Sequence, residues 1–237
     1  MLGAVQGVTE VVPVSSSAHL ALLPGLLGWP EPADRTLFAA ALHAGSCAGL
    51  LWALRHELTL PDLLAATAAS APAAVVGLVA HDAVEARLGR PLPTAALLAG
   101  AGLLMAVADR RPGDRPLGRR DRAAAGLAQV AALAPGVSRS GAALTALRAR
   151  RVPLPEAARW SLLMSLPVTA GAAGLTLLRA DPRSLRLLAP WLVAGVPAAA
   201  VGAALAVGRA PRGLHGAALY RLGFAAAVVA RHRKGPR

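Results

Sequence analysis

The stretch MLGAVQGVTEVVPVSSSAHL, at residues 1–20, places an acid, three serines and a histidine within an otherwise apolar run. Gln6 and Glu10 are four residues apart, which predicts that both lie on one face of a helix. Pro13 then ends the helical pattern, because it lacks an N–H group and its ring clashes with the preceding turn. Ionisable groups are costly to bury in apolar surroundings. We therefore interpret this stretch as part of a catalytic site.

The composition indicates a polytopic membrane protein. Of the 237 residues, 55% are hydrophobic and only 16% are charged, whereas about a quarter of the residues in a soluble domain are charged. The charges fall in short clusters between apolar runs of about 17–25 residues, the length that spans a bilayer as a helix. We therefore predict an all-α membrane protein with a single domain over residues 1–237. No cleavable signal peptide is predicted, because the first apolar run itself carries the polar residues.

Polar connections separate the predicted spans. After the first segment, spans are expected at residues 36–54, 63–80, 93–108, 158–178, 187–207 and 214–230. A polar loop is expected between the second and third of these, with His81, Asp82, Glu85, Arg87 and Arg90. The most basic connection, residues 109–122, is predicted to be cytoplasmic by the positive-inside rule, as is the basic C-terminal tail.

The net charge of +13 comes almost entirely from arginine. The basic residues lie between the predicted spans and in the tail, only 3% of residues are aromatic, and no nucleic-acid-binding module is present. We therefore expect no nucleic-acid partner and attribute the charge to membrane topology and to attraction for anionic lipid. Cys47 is the only cysteine, which excludes an intramolecular disulfide and a thiolate metal site.

A second apolar run is broken in a similar way, in QVAALAPGVSRSGAALTALRARR at residues 129–151. Pro135 and Gly136 interrupt the helical pattern, and Ser138, Arg139 and Ser140 follow in the break. Pairs of matching residues in the two stretches lie 123 positions apart, namely Gln6 and Gln129, Val14 and Val137, Ser15 and Ser138, and Ser17 and Ser140. We interpret this spacing as an internal repeat, with one copy at about 1–108 and the other at about 123–230.

Two copies of a broken-helix unit are typical of inverted-repeat membrane folds. Non-helical backbone at membrane depth is tolerated only where it is buried in protein or lines a cavity, so the two re-entrant breaks are expected to meet. We therefore predict an inverted-repeat bundle in which Glu10, Ser16 and His19 of the first break face the second. The residues expected opposite them are Ser138, Arg139 and Ser140.

The two breaks together offer the groups that a phosphoryl-transfer site needs. Helix N-termini bind anions and arginine binds phosphate through paired hydrogen bonds, so the second break is a candidate phosphate cradle. The first break supplies a nucleophile or an activated water, a group that moves protons near neutral pH, and an acidic metal ligand. A divalent cation on Glu10 would offset repulsion between the carboxylate and a diphosphate.

These residues match a known family. The phrases GVTEVVPVSSSAHL, at 7–20, and APGVSRSGAALTALRARR, at 134–151, resemble the two signature motifs of the undecaprenyl-diphosphate phosphatase family, the bacitracin-resistance type. Supporting matches are LHAGS at 42–46, EAARWSLLMSLPVTAG at 156–171 and YRLGF at 220–224. The chain is shorter than is usual for this family and begins closer to its first motif.

The resemblance implies an enzyme that removes the terminal phosphate from a C55 polyprenyl diphosphate. This reaction would recycle the lipid carrier for peptidoglycan synthesis in cell-wall biogenesis and confer bacitracin resistance. The resemblance further implies a bacterial inner (cytoplasmic) membrane location, an outward-facing site and a requirement for Mg²⁺ or Ca²⁺. The implied partners are the lipid substrate and membrane lipids, with a homodimer as a candidate assembly.

The resemblance also assigns residues. It identifies Glu10 as the essential acid, Ser16 as the nucleophilic or phosphate-contacting serine and His19 as the catalytic histidine. Arg139 would hold the diphosphate, and Glu10 with Gln6 would hold the metal. The expected substrate-binding residues are Ser15, Ser17, Ser138, Ser140, Gly136 and Gly141.

The sequence leaves several alternatives open. The phosphorus is attacked either by Ser16 or by a water molecule, with His19 moving the proton. Inverted repeats with a polar site are also typical of transporters and lipid flippases. A structural membrane subunit with Glu10 and Arg139 as a buried ion pair is a third interpretation, in which Glu10→Gln costs folding. His43 lines the cavity or is a core or interface histidine.

Overall fold

The computed structural model describes residues 1–209 and 213–233, and within these ranges every regular element is a helix. The predicted all-α class is confirmed. The helices are α1 Leu2–Val11, α2 Ser16–Leu27, α3 Arg35–Leu54, α4 Leu60–Leu88, α5 Pro91–Ala108, α6 Arg119–Ala131, α7 Arg139–Ala149, α8 Leu154–Leu178, α9 Pro182–Val207 and α10 His215–Arg233.

Five of these helices, α3, α4, α5, α8 and α9, are long and apolar enough to cross a membrane. They coincide with five of the six expected spans, which supports a multi-pass membrane protein. The sixth, α10, is helical as expected but carries Tyr220 and Arg221 in its first half and three basic residues in its last turn. Pro167 and Pro197 lie inside α8 and α9, where prolines are tolerated in membrane helices.

The polar loop expected around residues 81–90 is largely helical, so this expectation is wrong. Helix α4 continues through His81, Asp82, Glu85 and Arg87 and ends only at Leu88. Neither proline nor glycine occurs between Gly77 and Gly89, and alanine, glutamate and arginine are strong helix formers. Polarity alone therefore marked the end of the apolar segment and not the end of the helix.

Helix α3 lies at the centre of the bundle. Of its most apolar window, 61% is buried, whereas only 17% is buried in α4 and in α9. Helix α3 packs on α1, α8 and α9, while α5 pairs with α10. Large apolar side chains of α4 and α9 point outward, as expected for faces in contact with lipid: Val75, Leu78, Val79, Val193 and Val201.

The helices α1–α5 and α6–α10 follow the same order, with two short helices before three longer ones. Close backbone contacts recur in the two sets. A Cβ atom on Gly3 of α1 would lie 2.1 Å from the carbonyl oxygen of Gly195 on α9. A Cβ atom on Gly126 of α6 would lie 2.0 Å from that of Ala69 on α4. Small residues let membrane helices approach this closely. The boundaries and inverted orientation of the repeats stay predictions.

A cluster of charged side chains links the basic connection to the start of α6 and the end of α7. Arg115 and Arg150 each donate to Oδ1 of Asp121 at 2.5 Å, and the Gly118 N–H donates to Oδ2 at 2.9 Å. The Asp121 side chain is 1% exposed. Burial raises the pKa of Asp121, but hydrogen bonds from the Gly118 N–H and Arg150, together with the charges of Arg115 and Arg150, outweigh it and hold the pKa below its usual range.

We expect Gly126→Val to destabilise the protein, because the added side chain must displace the backbone of α4. Overpacking lowers the free energy of unfolding by about 1–3 kcal/mol. In chains of this size, each kcal/mol corresponds to a change in Tm of about 2–4 °C. Thermal unfolding in detergent measures the effect. Gly100→Val on α5 is the control, because a Cβ at Gly100 meets nothing within 4 Å. Equal Tm values for the two variants would contradict the close α4–α6 packing.

The lowered pKa of Asp121 predicts a pH dependence of stability. Its contribution is present above the ordinary pKa of 3.8 and is lost as the pH falls through the lower folded-state pKa. Asp121→Asn removes this contribution at every pH. The Tm difference between wild type and variant should therefore be largest near pH 7 and should shrink below about pH 4. A difference that stays constant down to pH 2 would show that the Asp121 charge contributes nothing.

Candidate functional site

The two helix breaks share an unusual backbone conformation. The N-cap residues Ser15 and Ser138 have φ angles of 74° and 73°. Residues other than glycine rarely adopt this region of backbone conformation. Each serine side chain accepts a hydrogen bond from the N–H three residues ahead, from Ala18 at 3.4 Å and from Gly141 at 3.1 Å. Strained backbone of this kind costs about 1–3 kcal/mol and clusters at functional sites. Both breaks are therefore candidate binding turns.

The breaks meet through Glu10 and Arg139. Oε1 of Glu10 accepts a hydrogen bond from Nη2 of Arg139 at 2.8 Å. Oε2 accepts from the Ser16 hydroxyl at 2.7 Å and from the Gln6 amide at 3.0 Å. The structure thus brings together four of the residues expected to act in one site. The Glu10 side chain is 4% exposed and the Arg139 side chain is 21% exposed, so Arg139 is the more accessible of the two.

A threonine and two serines fix the second break around Arg139. Thr169 on α8 accepts from Nη1 of Arg139 at 2.8 Å. The Ser140 hydroxyl lies 3.5 Å from the main-chain oxygen of Glu10 and 3.4 Å from the Ser138 hydroxyl. The guanidinium is therefore held from two sides, by a neutral hydroxyl and by an acid.

His19 lies apart from this cluster of hydrogen bonds. Its Nδ1 is 2.7 Å from the Ser15 carbonyl oxygen, which can only accept, so Nδ1 carries the hydrogen. Its Nε2 then accepts from the Tyr220 hydroxyl at 2.7 Å. The ring stacks on Phe224 at 4.6 Å between centroids. Ser16 donates to the carboxylate and not to His19, so the proton-transfer role expected of His19 stays a prediction.

His43 on α3 lines the site, which favours the first of the two roles left open for it. Its Nδ1 is 2.8 Å from Nε2 of Gln6 and 3.3 Å from Oε2 of Glu10. Ser46, one turn further along α3, has its hydroxyl 3.5 Å from the same Gln6 nitrogen. The face of α3 that carries these two residues therefore closes the site beside the carboxylate.

Three of the expected substrate-binding residues form no hydrogen bond to Glu10 or Arg139 in the described part of the chain. Ser17 is exposed and its hydroxyl lies 3.3 Å from that of Ser15. Gly136 has a φ of 100° and is packed so closely on α5 that a Cβ would lie 2.5 Å from the Thr94 carbonyl oxygen. The Gly141 N–H is already bonded to Ser138. A substrate contact at these three positions stays a prediction.

The side chains of Glu10 and Gln6 offer oxygen ligands that suit a hard divalent cation. Mg²⁺ and Ca²⁺ prefer carboxylate and carbonyl oxygens, and Oε1 of Gln6 is buried with no hydrogen-bond partner beside the Glu10 carboxylate. Within the described ranges, no three His, Cys, Asp or Glu side chains converge on one point. A cation held by Glu10 and Gln6 would therefore take its other ligands from water and phosphate, as Mg²⁺ commonly does.

Among the residues that touch the breaks and were not expected from the sequence are Thr169, Tyr220 and Arg221, and each lies in a phrase that resembles the family. Thr169 and Tyr220 bond to Arg139 and His19 as described, and Arg221 is wholly buried. An arginine inside an apolar segment is itself a signal of function, and this signal could have found Arg221. Nothing in the pattern distinguishes Thr169 from other threonines in membrane helices.

Comparison with known proteins identifies the family of this sequence. The sequence matches the family described as bacitracin resistance protein BacA over residues 1–227. A relative from Gemmatimonas aurantiaca named undecaprenyl-diphosphatase is 38% identical, over 87% of this chain and 85% of that protein. Proteins of the same name from Geobacter metallireducens and Desulforudis audaxviator are 40% and 39% identical, over 73% and 87% of this chain and 72% and 84% of theirs. The chain therefore belongs to the bacitracin resistance protein BacA family.

Proposed function

We propose that this protein hydrolyses undecaprenyl diphosphate to undecaprenyl phosphate and inorganic phosphate. The observation that carries the proposal is the contact between Glu10 and Arg139 across the two breaks, with the Ser16 hydroxyl on the same carboxylate. The relatives named undecaprenyl-diphosphatase supply the substrate. The reaction regenerates the monophosphate lipid carrier for peptidoglycan synthesis, and the family description links it to bacitracin resistance.

Arg139 receives the diphosphate in this proposal. Its guanidinium is the more exposed member of the pair with Glu10, and guanidinium groups bind phosphate through paired hydrogen bonds. The N-termini of α2 and α7 adjoin it and favour negative charge. An incoming diphosphate therefore competes with Glu10 for Arg139, and the carboxylate becomes free to act as a base.

Glu10 then accepts the proton of the attacking group. The Ser16 hydroxyl donates to Oε2 at 2.7 Å, within the distance required of a general base. Either Ser16 Oγ or a water molecule beside it attacks the terminal phosphorus, and its proton passes to the carboxylate. The bond from that phosphorus to the bridging oxygen breaks, and undecaprenyl phosphate leaves. On the serine route, water then hydrolyses the phosphoserine and releases inorganic phosphate.

A divalent cation, Mg²⁺ or Ca²⁺, completes the proposal. The residues that would hold it are Gln6, through its buried Oε1, and Glu10, through the carboxylate oxygen that does not take the proton of the attacking group. When bound, it neutralises charge that develops on the phosphate oxygens.

We also propose that the protein resides in a bacterial cytoplasmic membrane and that its site opens outward. The basic connection at 109–122 supports a cytoplasmic location for that end of the bundle, because arginine-rich connections stay inside. The relatives named above come from bacteria. Membrane lipids surround the outward-pointing faces of α4 and α9, and a homodimer is the assembly we propose from the family resemblance.

Phosphate release from a C55 or C15 polyprenyl diphosphate tests the proposed reaction. We expect purified protein to release phosphate with Mg²⁺ or Ca²⁺ but not with EDTA. Glu10→Gln and Arg139→Ala should each lower kcat by at least about 10²-fold, the typical effect of removing one group that stabilises the transition state. Asp62→Asn and Arg159→Ala remove members of another acid–arginine pair, with 3.0 Å between its atoms, and should retain activity.

Thermal unfolding of the same variants separates the enzyme from a structural subunit. An ion pair that only supports the fold costs about 3–5 kcal/mol when one partner is removed. In the enzyme, Glu10→Gln should fold and lack activity, because the glutamine oxygen still accepts from Arg139 and its amide nitrogen can donate to the Ser16 hydroxyl oxygen, while the carboxylate base is lost. A folded wild type that releases no phosphate with metal and lipid present would instead favour a transporter.

Substitution of Ser16 tests whether the serine that donates to the Glu10 carboxylate takes part in the reaction. We expect Ser16→Ala to lower kcat by at least about 10²-fold on either route, because Ser16 orients or is the attacking group. Ser184→Ala is the matched control, since Ser184 lies at the start of α9 and its hydroxyl is directed to Asp181. Rapid quench with substrate labelled in the terminal phosphate distinguishes the routes, since label on Ser16 establishes the covalent intermediate. Wild-type turnover by Ser16→Ala would remove Ser16 from the mechanism.

A further inference from the structure

Arg221 bonds to both helix breaks at once. It lies on α10 and its side chain is completely buried. Its Nε donates to the carbonyl oxygen of Pro13 at 2.8 Å, and its Nη1 donates to that of Val137 at 3.1 Å. Pro13 belongs to the first break and Val137 to the second. One guanidinium therefore connects two turns that are more than a hundred residues apart in the chain.

The surroundings of Arg221 are arranged for this contact. Backbone carbonyls outside regular helices need donors when they are buried, and hydrogen bonds from a charged donor are stronger than neutral ones. A Cβ atom at Gly141 would lie 2.3 Å from Nη2 of Arg221. A side chain at this position would displace the guanidinium from its place beside the first turn of α7. The remaining nitrogen, Nη2, has no hydrogen-bond partner among the described residues.

The two carbonyls lie close in sequence to the central pair of the site. Pro13 follows Glu10 by three residues, and Val137 precedes Arg139 by two. A shift of either carbonyl therefore changes the separation of carboxylate and guanidinium, which is 2.8 Å. A direct hydrogen bond between the breaks, from the Ser140 hydroxyl to the Glu10 main-chain oxygen, is long at 3.5 Å.

We propose that Arg221 is a positioning residue that holds the two breaks at the separation at which Arg139 reaches Glu10. Its guanidinium is buried and directed at backbone oxygens, so it acts on the reaction through Glu10 and Arg139. The effect on turnover rests on the proposed phosphatase function. The effect on the coupling of the two breaks does not depend on that function.

Turnover of Arg221 variants gives the first test. A misplacement of about 1 Å costs about 10²-fold in rate, so we expect Arg221→Met to lower kcat by about that factor in folded protein. Arg221→Lys keeps a charged donor and should recover part of the loss. It carries the test alone if the methionine variant does not fold. Wild-type kcat and KM in folded Arg221→Met, or in Arg221→Lys in that case, would overturn the proposal.

Arg148 provides a matched control. It is also buried and donates to backbone carbonyls, those of Val152 at 2.7 Å and Arg111 at 2.9 Å, but at the basic connection. We expect Arg148→Met to lower the Tm and to leave kcat per folded molecule unchanged. Equal losses of kcat in Arg148→Met and Arg221→Met would mean that Arg221 acts only through general stability, and the proposal would fail.

A double-mutant cycle tests whether Arg221 acts through the central pair. If it does, Arg221→Met causes no further loss of kcat in the Arg139→Ala background. If the two losses multiply in full, Arg221 acts independently and the proposal fails. If Arg221→Met does not fold, the same cycle is run with Arg221→Lys in its place.

The same cycle measured by Tm needs no turnover. Residues that act independently usually have additive effects on stability. If Arg221 couples the two breaks, Glu10→Gln should instead shift the Tm less in the Arg221→Met background than in wild type. A wild type without phosphatase activity would refute the proposed function alone, and the Tm cycle would still decide the role of Arg221. Additive Tm shifts would overturn it.

Discussion

The ion pair between Glu10 and Arg139 is the interaction on which the rest of the site depends. A carboxylate that is 4% exposed in an apolar bundle is stable only with a close partner and with its remaining lone pairs satisfied. Arg139 supplies the charge, and Ser16 and Gln6 supply the hydrogen bonds. The carboxylate and the guanidinium come from different helix breaks, so the acid is stabilised only when the two breaks meet. Folding and assembly of the site are therefore one event.

The sequence predicted the helical class, most of the spans and the residues of the central pair. Apolar runs of spanning length carry a strong signal because the bilayer fixes the length of a helix. Ionisable groups inside such runs are rare, so Glu10 and Arg139 were informative without any other data. The spacing of 123 positions also suggested which residues would meet, since broken helices at membrane depth must be shielded from lipid.

The sequence could not predict contacts that depend on packing between distant helices. His43 and Tyr220 reach the breaks from α3 and α10, and no periodicity indicates which neighbour a helix face will meet. Arg221 bonds to backbone oxygens, which every residue offers, so its partners leave no pattern in the sequence. The extension of α4 beyond residue 80 escaped prediction because the polarity of a segment and its helix propensity are separate properties.

The left-handed backbone of Ser15 and Ser138 has a consequence for ligand exchange. Because the turns are already bent in the folded protein, their conformational entropy is lost during folding and not on association. An anion that arrives at these turns does not have to order a loop, so the main barrier to its binding is the replacement of Glu10 on Arg139. Its residence time then depends on the hydrogen bonds that it makes at the two turns.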